Sequence, residues 1–252
     1  MSPQHSNRIL MIEQNLGILR EYIKKTNAYL TSVQEEVWNM YRNERYSKSL
    51  TEMMERSFGT VETITIDIKY SRIMYRDIEQ LPQLFYSSFV LTLYAFIENK
   101  LYELCVYYWE NYTKEEKPPS SKSYYEIKNY ITEAMKIKID KKNCDKLKTG
   151  IQQLRYQIAY KFNELKGIRQ LRHQIAHKGP AFDRKFTEYQ KNKILKEMIK
   201  HIQKHNLLAT GSTYTYIKIS FEYCIYLIEF ATDFLEKLYQ AFNQLHLVKT
   251  NR

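Results

Sequence analysis

The chain contains very few residues that interrupt regular secondary structure. Its 252 residues include only 6 glycines and 5 prolines. Glycine and proline are the residues that most often end a helix or form a turn, so their scarcity favours a small number of long periodic segments. We therefore predict an all-α protein. A hydrophobic content of 44% is enough for one substantial core or two small ones.

The hydrophobic pattern predicts six helices. They cover roughly residues 7–45, 85–112, 122–138, 145–178, 186–206 and 215–246. We expect the fourth helix to break near Gly167, and the Pro-Pro-Ser-Ser segment at 118–121 to form a loop. Residues 60–70 alternate like a strand. We assign them to a helix because no second strand is evident to pair with them.

The N-terminal third has an apolar stripe of its own. Seven aliphatic residues have spacings suited to one helix face: Ile9, Ile12, Leu16, Leu19, Ile23, Leu30 and Val33. Such a helix can pack on the rest of the chain or pair with a partner chain. We divide the chain into an N-terminal helical extension, residues 1–84, and a helical bundle of four to five core helices, residues 85–252.

A cationic motif lies at the end of the predicted fourth helix, from Arg169 to Pro180. Within it, Arg172 falls in the apolar stripe of the helix rather than on its polar face. Burial of an unpaired cation costs several kcal/mol, so this arginine should either find a carboxylate or line a groove that binds an anion. Gly179 and Pro180 should end the helix directly after His177, and we expect its ring to turn toward Arg172.

Two interpretations of this motif are open. In the first, the guanidinium of Arg172 holds a phosphate, and the imidazole of His177 transfers a proton near neutral pH. In the second, Arg172 pairs with a core carboxylate and His177 caps the C-terminus of the helix, where a cation is favoured. The residues alone do not decide between a catalytic and a structural motif.

The pattern Arg172-His173-x-x-x-His177 resembles the Arg-polar-x-x-x-His signature of HEPN domains, which are all-helical modules found in many RNA-cutting toxins and defence proteins. The apolar segment around Glu98 is similar to the first helix of these domains, which carries an acidic residue at about this position. Residues 217–245 are similar to their long closing helix. The resemblance covers roughly residues 85–245.

This resemblance implies a metal-independent endoribonuclease, a toxin or anti-phage abortive-infection effector that cuts tRNA, mRNA or rRNA. Arg172 would bind the phosphate and His177 would transfer protons, with the 2′-hydroxyl as nucleophile and 2′,3′-cyclic phosphate ends as products. His173 stands where the family most often has asparagine, and would be a second donor or proton carrier. We expect Glu98 to pair with Arg172 or to orient His177, although an ordinary surface glutamate is the alternative.

The distribution of charge agrees with a polyanionic partner. The net charge is +11, and residues 113–205 hold 23 Lys and Arg against 10 Asp and Glu, while the rest holds 16 against 18. This excess surrounds the motif, and Arg169 and Lys178 are its candidate RNA-binding residues. A lysine-rich solvated face is the alternative explanation.

Other features of the sequence limit its partners. The 3 cysteines have no metal-binding spacing, no secretory signal is evident, and no apolar run is long enough for a bilayer, so we predict a cytoplasmic protein without membrane partner or cofactor. The pairs His173/His177 and His201/His205 have the i, i+4 spacing of zinc ligands. Neither has the glutamate of a zinc-protease motif or a nearby cysteine ligand, so we predict no metal.

The resemblance also implies a homodimer in which two motifs share one groove, the apolar stripe around Arg172 being covered by the second copy. An antitoxin or a sensor protein would restrain such an enzyme. Two other classes of function stay open: a HEPN-like module that binds RNA or a nucleotide without cutting it, and a helical interaction protein.

Overall fold

A computed structural model describes residues 3–55, 73, 75–113, 118–134, 150–179, 181–182, 196–210 and 215–250. These residues form six α-helices: α1 (Pro3–Glu55), α2 (Leu81–Tyr108), α3 (Tyr124–Ala134), α4 (Gly150–Lys178), α5 (Lys196–Lys204) and α6 (Phe221–Thr250). Short π-helical segments precede and follow α2, at Tyr75–Gln80 and Trp109–Thr113. The prediction of an all-α protein is confirmed.

The helix bounds differ from the prediction in several places. Helix α1 continues ten residues past its predicted end near 45, to Glu55. Helix α2 begins at Leu81 rather than near 85, with a proline in its first turn, where the missing N–H costs no hydrogen bond. The predicted loop at 118–121 is confirmed. The expectations for residues 60–70 and 186–195 fall outside the described residues.

A small antiparallel sheet, which the sequence did not predict, lies in the second half of the chain. It pairs the segment after α4 with the segments between α5 and α6. Its strands are β1 (Ala181–Phe182), β2 (Leu208–Thr210) and β3 (Thr215–Ile217), in the order β1-β3-β2. Strands of two or three residues are too short to show an alternating pattern. Because β3 occupies residues 215–217, the predicted start of the last helix at 215 is wrong, and α6 begins at Phe221.

The hydrophobic core lies where α2, α4 and α6 meet. Phe162 of α4 packs edge-on against Phe234 of α6, with 5.1 Å between ring centroids. The hydroxyl of Tyr124 in α3 donates a hydrogen bond to the carbonyl of Phe162 at 2.8 Å. Tyr108 of α2 stacks on Phe242 of α6 at 4.3 Å. Aromatic contacts therefore join all four helices around α4, the helix that carries the cationic motif.

Helix α1 packs along α6 and shares the same core. Its buried side chains include Ile12, Leu16, Ile23 and Leu30. Asn27 accepts a hydrogen bond from the hydroxyl of Tyr86 in α2 at 2.6 Å. Helix α1 is thus attached to the bundle by apolar and polar contacts. No helix in the described part of the chain combines the length and the apolar character needed to cross a bilayer.

Gly167 lies in the middle of an unbroken α4, so the expected break there is wrong. The residue lies where α4 closely approaches α5. A Cβ atom at this position would lie 2.8 Å from His201 Cβ and 3.0 Å from the carbonyl oxygen of Glu197. The glycine therefore allows two helix backbones to pack closely, and it is required by this contact rather than by a bend.

Alanine substitutions at two helical glycines should have effects of opposite sign. At Gly167 the added methyl must displace α5, and we expect a loss of about 1–3 kcal/mol in the free energy of unfolding, which exceeds the helix-propensity gain of about 1 kcal/mol. At Gly17 in α1 nothing lies within 4 Å of the added Cβ, so only the gain applies. Urea unfolding of G167A and G17A measures both. A stabilised G167A would contradict the close packing.

Candidate functional site

The cationic motif occupies the last turns of α4. His177 and Lys178 belong to the final turn, and Gly179 ends the helix with a φ of +75°, a left-handed conformation that glycine adopts without steric cost. The predicted stop at Gly179 is confirmed. His177, however, keeps helical geometry, and its ring lies 4.5 Å from that of His173, centroid to centroid. The expectation that it leaves the helix to turn toward Arg172 is therefore wrong.

Arg172 lies at the boundary between the core and the solvent. The preceding residue, Leu171, is fully buried, whereas Arg172 is partly exposed. Its guanidinium carbon is 5.9 Å from the centroid of the Tyr94 ring in α2. Its Nε is buried and has no hydrogen-bond partner among the described residues. The guanidinium thus faces the Tyr94 ring on one side, and its Nε–H donor makes no hydrogen bond to the described residues.

Glu98 of α2 lies in the electric field of the same arginine. Burial raises the pKa of Glu98, whereas Tyr94 and the positive charges of Arg172 and Arg169 act in the opposite direction. No hydrogen bond or ion pair in the described part of the chain joins Glu98 to Arg172, so the predicted pairing is not formed as a direct contact, and the charge of Arg172 acts on Glu98 only from a distance. Among the described residues, no hydrogen bond or ion pair joins Glu98 to either histidine of the motif.

Arg169, one turn earlier in α4, faces α3. Its guanidinium carbon lies 4.7 Å from the ring centroid of Tyr125 and 5.5 Å from that of Tyr124. Tyr124 is buried, but Tyr125 is 53% exposed. This arrangement gives the end of the bundle a cation next to an accessible aromatic ring, both of which can contact a nucleotide.

The two histidines of the motif are exposed to solvent, as is Lys178. Slight burial and the positive charges of His177, Lys178, Arg169 and Arg172 lower the pKa of His173. Its imidazole is therefore mainly neutral at physiological pH, which is the form that accepts a proton. The motif thus divides into an exposed imidazole pair and a half-buried arginine that faces the ring of Tyr94.

The apolar stripe around Arg172 is covered mostly within the chain. Leu165 and Ile168 are buried where α4 packs against α2, α5 and α6, and Ile175 is partly buried. The expectation that a second copy covers this stripe is therefore wrong for Leu165 and Ile168. The exposed apolar side chains lie elsewhere, and those on α1 with more than half of their surface exposed include Met11, Ile18, Tyr22, Tyr29 and Met40.

A second polar cluster on α4 was not predicted as a site. Glu164 of α4, His201 of α5 and His205 just after α5 have side-chain N and O atoms within 4.8 Å of one another. The Glu164 side chain is only 8% exposed and accepts hydrogen bonds from Lys204 Nζ at 2.5 Å and from the hydroxyl of Tyr226. The histidine spacing was visible in the sequence, but the carboxylate comes from a distant helix.

The electrostatics of this cluster favour an ionised carboxylate and a neutral imidazole. Burial alone would raise the pKa of Glu164, but His205, Lys204 and Tyr226 together hold it well below its usual range. Burial lowers the pKa of His201 to about 3. Its Nε2 lies 2.7 Å from the hydroxyl of Tyr223 in α6, which fixes the ring.

The fold and the two clusters define an all-α protein with a cationic helix end and a separate buried carboxylate-histidine cluster. Comparisons with models of protein families, with curated proteins and with solved structures found no match. Glu164 and Arg172 are eight residues apart on α4, which corresponds to about 12 Å along a helix axis. The two clusters are therefore distinct sites.

Proposed function

We propose that the protein is a metal-independent endoribonuclease of HEPN type that acts as a toxin or an abortive-infection effector. The observation that carries this proposal is the state of Arg172. Arg172 is partly exposed, its guanidinium carbon lies 5.9 Å from the centroid of the Tyr94 ring, and its buried Nε has no hydrogen-bond partner among the described residues. Such a group is suited to a phosphate, which can satisfy several guanidinium donors at once.

The imidazole pair supplies the proton transfers in this proposal. His177 takes the proton of the ribose 2′-hydroxyl, and the adjacent ring of His173, 4.5 Å away, acts as second donor or proton carrier. Arg172 stabilises the charge that builds on the phosphate in the transition state. Glu98 acts on Arg172 through its charge, which makes it a positioning residue. The products are a 2′,3′-cyclic phosphate and a 5′-hydroxyl, and DNA is not cut because it lacks the nucleophile.

Arg169 and Lys178 extend the cationic surface beyond the reacting phosphate. The exposed ring of Tyr125 beside Arg169 offers a stacking surface for an unpaired base. Residues 113–205 carry 23 Lys and Arg against 10 Asp and Glu, so binding of RNA should weaken steeply with salt. These features support a single-stranded or looped segment of tRNA, mRNA or rRNA as substrate.

Assembly, restraint and location belong to the same proposal. A homodimer would bring two motifs to one groove, and the exposed apolar side chains of α1 are a surface that a second copy could cover. An antitoxin or a sensor protein would keep the enzyme inactive. A reducing cytoplasm fits Cys105 and Cys224, which are free thiols buried in the core.

Binding without cleavage is the second candidate function. It is favoured by the helical geometry of His177, whose ring lies against His173 rather than against Arg172. A surface with this arrangement can hold a phosphate with Arg172 while the histidines contact other parts of the RNA.

Incubation of the purified protein with total RNA in EDTA tests the proposed function. We expect fragments with 2′,3′-cyclic phosphate ends, and no such fragments with His177→Ala. Intact RNA that is bound in a salt-sensitive manner would contradict cleavage and support the binding module. Absence of binding at low salt would contradict both and leave a helical interaction protein.

A further inference from the structure

The buried cluster on α4 has the composition of a transition-metal site. It contains one carboxylate, from Glu164, and two imidazoles, from His201 and His205, with their ligand atoms within 4.8 Å of one another. Two histidines with one carboxylate are a ligand set that Zn²⁺ uses in proteins, with a water in the remaining position. The His173/His177 pair has the same spacing along the same kind of helix, but it is exposed, and no carboxylate of the described residues joins it in such a group.

His205 is the member of the cluster that has a buried ring nitrogen without a hydrogen bond to the described residues. Its Nε2 is buried, lies 3.9 Å from Glu164 Oε1, and has no hydrogen-bond partner among the described residues. That distance is too long for a hydrogen bond. A buried nitrogen without a partner is unfavourable, and a metal ion between the imidazole and the carboxylate would satisfy both.

The distances are compatible with coordination after small side-chain movements. Tetrahedral Zn²⁺ with bonds of about 2.1 Å holds its ligand atoms roughly 3.4 Å apart. The 3.9 Å between Glu164 and His205 is already close to this value. His201 is held by Tyr223 and pressed against Gly167, so its position is set by packing before any ion binds.

Lys204 would compete with a metal ion for the carboxylate of Glu164. Its ammonium lies 2.5 Å from Glu164 Oε1, but its side chain is 49% exposed and belongs to the surface. A flexible, half-exposed lysine can move into solvent at little cost when a divalent ion replaces it. The Lys204 ammonium therefore supplies a single positive charge at the place where a divalent metal ion would supply two.

We propose that Glu164, His201 and His205 bind a divalent transition-metal ion of the Zn²⁺ type, which links α4 to the end of α5. The site lies about 12 Å along α4 from Arg172 and takes no part in the proposed cleavage. It replaces the expectation of a metal-free protein. Since Arg172→Ala should retain the metal, this inference and the proposed nuclease activity can fail separately.

Titration of the metal-free full-length protein with Zn²⁺ and with Co²⁺ tests the site. We expect one equivalent of Zn²⁺ to bind, and Co²⁺ to give the visible absorption of a low-symmetry four- or five-coordinate ion. His205→Ala and Glu164→Gln should each weaken Zn²⁺ binding by at least about 100-fold. This loss is larger than the one expected for a residue that only hydrogen-bonds to a metal ligand. Circular dichroism checks that each variant is folded.

Lys204→Met provides a test that leaves all three proposed metal ligands in place. Removal of the competing ammonium should tighten Zn²⁺ binding by up to about 5-fold, which corresponds to about 1 kcal/mol for a half-exposed ion pair. Lys200→Met is the matched control, because Lys200 pairs with Glu197 at 3.5 Å on the same helix and should leave affinity unchanged. The proposal is overturned if folded wild-type protein binds no Zn²⁺, or if binding is lost in the His173→Ala/His177→Ala double variant while His205→Ala retains it.

Discussion

Replacement of Arg172 by alanine should reduce RNA cleavage by about 100- to 1000-fold while the protein stays folded. The size follows from the loss of one preorganised donor to the charge that develops on the phosphate. The contact of the guanidinium with the Tyr94 ring is worth only about 0.5–1 kcal/mol, so its loss should lower the melting temperature slightly. Single-turnover cleavage and thermal unfolding measure the two effects.

Arg155→Ala is the matched control for this prediction. Arg155 lies on the same helix and, like Arg172, has a buried Nε without a hydrogen-bond partner among the described residues. It is 17 residues away, about 26 Å along the helix axis, so its removal should leave cleavage within a few-fold of wild type. Equal losses in both variants, or unfolding of Arg172→Ala, would mean that Arg172 is structural.

Replacement of Leu93 by alanine should lower the free energy of unfolding by about 2–5 kcal/mol. Leu93 lies in the middle of α2 and is completely buried. Truncation removes three carbon atoms from contact with the core and leaves a cavity that neighbouring side chains fill only in part. Urea unfolding followed by circular dichroism gives the difference between variant and wild type.

Leu84→Ala separates burial from residue type in this experiment. Leu84 belongs to the same helix but is 68% exposed. The same chemical change there should alter the free energy of unfolding by no more than about 0.5 kcal/mol. Similar losses for Leu84→Ala and Leu93→Ala would be incompatible with the observed orientation of α2.

The long helices were predictable because their stabilising contacts repeat along the sequence. The N-terminal stripe that includes Ile12, Leu16, Ile23 and Leu30 is the buried face of α1, although the pattern did not locate the helix end at Glu55. The three short strands were not predictable, since their pairing joins Tyr216 both to the nearby Ala209 and to the distant Ala181. Too few residues lie in each strand to produce a period of two.

The candidate site was predicted in part. The half-buried position of Arg172 follows from helical periodicity in α4, whereas the predicted pairing of Arg172 with Glu98 is not formed as a direct contact among the described residues. The predicted orientation of the His177 ring, toward Arg172, was wrong because α4 continues through Lys178. In an intact helix a residue five positions on is rotated by about 140°, whereas one four positions on lies on the same face, so His177 meets His173.

The sequence by itself determined that this chain is helical, which faces of its helices are buried, and that an arginine and two histidines share one helix end. These properties depend on neighbours within one or two turns. Only the tertiary structure decided that Glu164 meets His201 and His205, because their contact depends on how closely α4 and α5 pack at Gly167. Side chains far apart in sequence share a site only when helix packing fixes the distance between their backbones.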